Sequence, residues 1–226
     1  MAERRKRGMS GTALRGGIDE VGRGPLAGPV IACALVLHRV PDGLADSKRL
    51  SPCRREELAA HIARCAVYAL GAASVAEIDR LNIHRATLLA MRRAARRLPV
   101  AVSEWWVDGR YAPELEAPVR CVVGGDRQVP EIMAASIVAK VVRDRLMRRL
   151  AARHPGYGFD RHFGYPTRAH QNALMRLGPC RHHRRSFRLP GLAGPGLTSV
   201  QCVPEDIAGG EAGRGVARQG GQQQQG

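Results

Sequence analysis

The sequence is short of aromatic residues, acidic charge and long apolar runs, and each shortage excludes something. Aromatic residues make up only 4% of the 226 positions. A core must therefore be built mainly from Ala, Val, Leu and Ile, and a hydrophobic content of 44% suffices for one domain of ordinary size. No apolar run reaches the roughly 20 residues of a membrane-spanning helix, so no membrane association is expected. The first residues, MAERRKRGMSGTALRGG, are basic but hold no apolar stretch, so they do not read as a secretory signal. The six cysteines form no C-x-x-C pair and no Cys/His spacing suited to zinc. Several, Cys33 among them, sit inside apolar runs and read as small buried hydrophobes. A reducing, cytoplasmic setting is expected.

What is present in excess is positive charge. Lys and Arg number 36 against 20 Asp and Glu, a formal net charge of +16, nearly all of it from arginine. Such a surface points to polyanions, nucleic acid first, with binding that weakens steeply with salt. A general bias toward Arg and Ala is the bland alternative.

The pattern along the chain predicts an α/β fold with one mixed central sheet flanked by helices and a helical C-terminal region. A strand from about Gly16 to Asp19 is followed by the unbroken apolar run Pro29–Leu37, which suits a buried strand. Ser51-Pro52 reads as the N-cap and first position of a helix reaching about Cys65. Ala66–Ser74 reads as a strand, Val75–Arg80 as a helical turn, and Ile83–Leu98 as a helix closed by Pro99. Strands are expected at Glu104–Asp108 and Pro118–Val123, and helices at Pro130–Arg153 and Thr167–Leu177, with a loop over His154–Tyr165. Residues 15–190 form the expected domain. Residues 1–14 read as a flexible basic arm, and 191–226 as a disordered Gly/Gln-rich tail too polar to bury a core.

Three acids share a position. Asp19 ends the first strand, Asp108 ends the fourth and Asp126 follows the fifth, each near glycine. In open α/β sheets, strand ends are where ligands gather. A strand-end Asp also serves commonly as a turn cap, so position alone leaves both readings open. With Glu20 beside Asp19, these carboxylates are hard donors that suit Mg²⁺ or Mn²⁺. On a protein this basic, an acidic cluster would repel phosphates unless cations filled it, which points to metal-assisted phosphodiester chemistry. Gly22-Arg23-Gly24 continues to Gly28 as GxGxxxG, with Pro25 and Pro29 interrupting any helix. A dinucleotide fingerprint is therefore weak, and contact with a sugar-phosphate chain fits better. His154, His162, His170, His182 and His183 are not assigned to metal; a surface or phosphate-contact role is favoured over service as a proton shuttle. In the strand pair Trp105-Trp106, one ring should be core and the other partly exposed.

Gly17–Val30 resembles the opening motif of the ribonuclease HII family. The resemblance continues through Asp46–Ser51, Ile78–Ile83, Val107–Gly109, Gly125-Asp126, Val129–Ile132, Ala134–Lys140, Arg143-Asp144, Gly164–Thr167 and His183–Phe187. It covers roughly residues 16–188. It implies a ribonuclease H-like fold and cleavage of RNA in RNA–DNA hybrids. It also implies cutting 5′ of single ribonucleotides in duplex DNA, leaving 3′-hydroxyl and 5′-phosphate ends.

The resemblance places the family's catalytic, metal-binding carboxylates on Asp19, Glu20, Asp108 and Asp126, with two Mg²⁺ or Mn²⁺ ions. It places the ribose-reading turn on Gly22, Arg23 and Gly24, and the junction tyrosine on Tyr165. Lys48 and Arg185 are expected phosphate contacts. No obligate protein partner is implied, and a monomer is expected. The related ribonuclease HIII group carries an additional N-terminal domain, for which the position of the acidic motif leaves no expected room. Two positions depart from the family's pattern: Gly124 and Phe163 stand where it usually has lysine. The surplus arginine or the basic arm is expected to compensate.

Overall fold

The computed structural model describes residues 14–47 and 50–187. The expected tail, all of the basic arm but Leu14, and Lys48 lie outside the described residues.

Five strands form one sheet: β1 (Arg15–Val21), β2 (Val30–Leu37), β3 (Ala66–Ala73), β4 (Glu104–Asp108) and β5 (Val119–Val122). Their order is β3-β2-β1-β4-β5. β2 runs antiparallel to both β1 and β3, whereas β1, β4 and β5 are mutually parallel. The sheet is therefore mixed, as the sequence pattern predicts. β2 is buried along nearly its whole length, which explains why its sequence VIACALVL shows no polar alternation.

Helices cover both faces: α1 (Pro52–Cys65), α2 (Val75–Leu81), α3 (Ile83–Arg97), α4 (Pro130–Arg153), α5 (Phe159–His162) and α6 (Arg168–Leu177). Ile18, Val30, Ala32, Ala34 and Val36 face Ala86, Ala90, Met91 and Ala94 of α3. The opposite side chains Ile31, Cys33 and Leu35 meet Leu58 and Ile62 of α1 and Ala134, Ile137 and Val138 of α4. Alanine-rich helix faces let the layers approach closely, which is how a core so poor in aromatics fills its volume. Each fully buried Leu or Ile contributes about 2 kcal/mol of transfer free energy. Trp105 is core and Trp106 is half-buried between the guanidinium groups of Arg15 and Arg120.

Local signals set the helix ends. Ser51 caps α1, accepting from the Arg54 amide, with Pro52 in the first turn. Ser74 and Glu77 form a capping box on α2. Glu77 also pairs with Arg93 of α3 at 2.7 Å, and that guanidinium is the main reason its carboxyl is lowered to about 2.

Two expectations need correction, and one further element adds to them. β1 runs two residues beyond Asp19, to Val21. The stretch His154–Tyr165 holds the short helix α5, opened by Gly158 and closed by Phe163, both in left-handed backbone conformations. A single 3₁₀ turn, Gly125–Arg127, follows β5 and carries Asp126. A helical turn this short lies below the length at which apolar periodicity can be read.

α4 crosses β1 at unusually close range. A Cβ on Gly17 would collide with the backbone of Glu131. That approach sets the first half of α4 directly behind the carboxyl end of β1.

Candidate active site

β1 and β4 are neighbours and parallel, with Ile18 opposite Val107. One step further, their carboxyl ends set Asp19 beside Asp108 on the α4 face of the sheet. Glu20, by the alternation of the strand, leaves on the other face. Asp126 arrives from the 3₁₀ turn after β5. All four carboxylates line one cleft of about 250 Å³, together with Val21, Ser47, Arg55, Ser136, Lys140 and Tyr165.

Asp19 is 4% exposed, and its Oδ1 accepts the Glu20 amide at 2.7 Å. Burial, reinforced by the charges of Glu20 and Asp108, raises its pKa well above the ordinary carboxylate range; a hydrogen bond from Ser136 opposes the shift. Glu20 is raised as well, first by burial, with Arg23 opposing at 3.5 Å. Asp108 accepts the Gly125 amide at 2.7 Å, which ties the end of β4 to the turn that carries Asp126.

Basic and hydroxyl groups form the opposite wall. Lys140 holds Asp144 at 2.7 Å and lies 4.9 Å from the centre of the Phe163 ring. Ser47 and Ser136 share a buried hydrogen bond of 3.0 Å, and Arg55 donates to the Ser47 carbonyl.

The donor set fits divalent cations. Glu20 Oε2 is buried with no hydrogen-bond partner, a costly state unless a cation takes it up. The raised carboxyls of Asp19 and Glu20 record the same burial first, and the charge of neighbouring carboxylates second. Among the described residues, no three His, Cys, Asp or Glu side chains are already drawn together as a metal cage. The four carboxylates share a cleft without converging on one point.

The Gly22–Pro29 segment beside the cleft is held by two arginines that are fully buried. Arg143 of α4 donates to the carbonyls of Ala27, Pro29 and Phe163 at 3.0–3.1 Å. Arg184 donates to the carbonyls of Gly22, Arg23 and Gly28 at 2.5–3.0 Å. Burial lowers the pKa of Arg143 to about 10 and that of Arg184 to about 9, so both stay charged at neutral pH. Gly22 has a φ of 94°, and a Cβ there would strike the Arg143 guanidinium. Gly24 lies against Tyr165: a Cβ built on it would come within 3.7 Å of the ring.

The structure thus gathers most of the expected residues. Tyr165 lines the cleft, 39% exposed; Gly22, Arg23 and Gly24 do not line it but adjoin it, Arg23 through Glu20 and Gly24 through Tyr165. Arg185 is exposed and does not line the cleft; its amide donates to Asp79 of α2 at 3.1 Å. Gly124 has a left-handed φ of 70°, and Phe163, at 51°, receives Lys140 and Arg148 over its ring. The histidine expectation needs correction: His162, His170 and His183 are buried, not surface residues. Arg143 and Arg184 lie inside matched motifs, yet no role was expected of them. One signal was available, since Arg143 falls four residues from both Ala139 and Met147 on the buried stripe of α4.

A family model described as ribonuclease HII matches residues 16–189. The chain belongs to the ribonuclease HII family. A ribonuclease HII of Parvibaculum lavamentivorans is 54% identical over 185 residues, covering 80% of this chain and 69% of that protein. The solved ribonuclease H2 from Pyrococcus horikoshii superposes with a TM-score of 0.63 at 25% identity, over 78% of this chain and 94% of that one. A Bst ribonuclease HIII in complex with Mn²⁺ shares the fold, with a TM-score of 0.58 at 20% identity over 74% and 64%. The protein is accordingly a ribonuclease H, a metal-dependent endoribonuclease of a family that acts on RNA–DNA hybrids. Among the described residues no helix is long and apolar enough to cross a bilayer.

Proposed function

We propose that this ribonuclease HII hydrolyses the RNA strand of RNA–DNA hybrids and cuts 5′ of ribonucleotides embedded in duplex DNA, leaving 3′-hydroxyl and 5′-phosphate ends. In this reading Asp19, Glu20, Asp108 and Asp126 hold two Mg²⁺ or Mn²⁺ ions. The observation that carries it is one juxtaposition: four carboxylates and Tyr165 line the same cleft, with Gly24 against the tyrosine. A nuclease indifferent to sugar identity has no use for that second feature.

Bound there, the cations supply activation of water and stabilisation of the leaving oxygen. The protein's own groups do the positioning. Asp19 is fixed by the Glu20 amide and Ser136, and Asp108 by the Gly125 amide at the start of the 3₁₀ turn. Arg23 orients Glu20. Because Arg184 takes the carbonyls of Gly22 and Arg23, the amides of that turn are the groups assigned to the 2′-hydroxyl, the atom that separates RNA from DNA. Tyr165 stacks on the deoxyribose at the junction. Lys48 and Arg185 contact phosphates flanking the cut. The protein acts as a cytoplasmic monomer in removing ribonucleotides during DNA replication and repair.

The test is a DNA duplex holding one ribonucleotide, incubated with Mg²⁺ or Mn²⁺. Cleavage 5′ of the ribonucleotide is expected. Equal cleavage of an all-DNA duplex would instead make this a general two-metal nuclease, and binding without cleavage a binding protein.

A further inference from the structure

Beyond the cleft, the C-terminal region encloses a group of buried imidazoles. His170 is fully buried and His183 is 2% exposed. Their Nε2 atoms lie 3.0 Å apart. His170 Nδ1 is 2.9 Å from the Tyr165 carbonyl, and His183 Nδ1 is 3.0 Å from the Cys180 amide.

The shorter contacts favour one arrangement of the protons. A carbonyl cannot donate, so His170 Nδ1 carries hydrogen and donates to Tyr165. A backbone amide cannot accept, so His183 Nδ1 is bare and accepts from Cys180. The Cys180 thiol, 3.2 Å from the same nitrogen, suits the same assignment. If both rings are neutral, His170 Nε2 is bare and His183 Nε2 carries the hydrogen between them. The result is a one-way chain: Cys180 amide to His183, His183 to His170, His170 to the Tyr165 carbonyl. A further proton disrupts it. On His170 Nε2 it would oppose the His183 N–H, and on His183 Nδ1 it would oppose the Cys180 amide at 3.0 Å in exchange for a long 3.4 Å contact with the Cys180 carbonyl.

The chain also joins the two halves of the rim. His183 pairs with Ala27 in an isolated bridge, and Arg184 next to it binds Gly22, Arg23 and Gly28. His170 holds the Tyr165 backbone. The Leu26 amide closes the loop on the Gly164 carbonyl at 2.7 Å.

We propose that His170 and His183 are positioning residues that hold Tyr165 against the Gly22-Arg23-Gly24 turn, and that protonating the pair releases the tyrosine and with it the preference for a ribonucleotide junction. This rests on the junction-reading role of Tyr165 given above. The groups facing the pair agree with a neutral state. His162 stacks on His170 at 4.3 Å, and Phe159 and Tyr157 pack on the rings. His154 and His182 bring only positive or neutral charge, Arg184 follows His183 in the chain, and among the described residues no carboxylate figures among the groups acting on either ring. Burial lowers both pKa values, that of His183 to about 4.

The experiment uses the full chain and a duplex with one embedded ribonucleotide. In a double-mutant cycle, Tyr165→Ala and His170→Phe should each lower kcat/KM about tenfold, and the double variant should be no worse than Tyr165→Ala. His170→Gln, able to donate and accept, should recover part of the loss. The second arm needs no histidine variant: the ratio of wild type to Tyr165→Ala, about tenfold at pH 8, should fall by about half as pH approaches 4, where about half of His183 is protonated. Additive losses in the cycle, or a ratio constant with pH, overturn the positioning role alone. A Tyr165→Ala protein as active as its parent overturns both this role and the reading of Tyr165.

Discussion

The carboxylate cleft and the Arg143–Arg184–histidine latch beside it are both made of buried polar groups, and they treat them in opposite ways. In the latch, each guanidinium finds several carbonyls and each nitrogen of His170 and His183 a partner. In the cleft, like charges adjoin, Asp19 and Glu20 are raised, and one Glu20 oxygen has no partner. Compensated charge holds the backbone in place. Uncompensated charge is what a ligand is needed to complete.

The largest break in this contrast should come from Asp19→Asn. Cleavage with Mg²⁺ should fall at least about a thousandfold, on the order of 4 kcal/mol of activation free energy. Metal-free stability should hold or rise, because a repelled charge is gone; single-turnover assays and melting in chelator check the two halves. Arg184→Met should do the reverse to stability. It strips buried carbonyls of their donor and should cost about 3 kcal/mol in urea unfolding.

The two regions should also answer pH with opposite signs. The histidines of the latch have lowered folded-state values, so their contribution is present above 6.5 and is lost as pH falls toward about 4. The loss should be about 2 kcal/mol, read as the difference in unfolding free energy between wild type and His183→Asn across that range. Asp19 and Glu20 have raised folded-state values. In metal-free protein their contribution is present below the ordinary carboxylate range and is lost as pH rises, so the stability gained by Asp19→Asn should shrink on acidification. The smallest effect should come from Asp79→Ala, which frees the amides of Arg185 and Ser186. About 1 kcal/mol or less is expected, with a modest rise in KM if Arg185 meets a phosphate.

Much of the cleft could be read from the sequence, because its residues follow each other closely or sit at strand ends. Asp19-Glu20 and the Gly22-Arg23-Gly24 turn are contiguous, and parallel pairing of β1 with β4 is enough to bring Asp108 alongside. The latch was not legible in the same way. Arg143 and Arg184 look like members of a basic surface, and their partners are backbone carbonyls, which carry no side-chain signature. All of those partners but Phe163 also lie more than a hundred positions away. His170 and His183 failed for a related reason: a histidine's burial depends on which segments fold over it, and here these are the end of α4, α5 and the turn before Arg184. Helix bounds fared well where a cap marked them, as at Ser51 and Ser74, and poorly at α5, which opens and closes on left-handed residues.

The meeting of Gly17 with Glu131 has a consequence for how the enzyme tolerates change. α4 brings Ser136 and Lys140 to the cleft, and its distance from the sheet is gauged by the hydrogen atom that stands where Gly17 would have a methyl group. Adding that one carbon would lever the helix outward like a shim under a beam, widening the gap between the carboxylates and the wall that faces them. A residue that does not line the cleft thus calibrates its width.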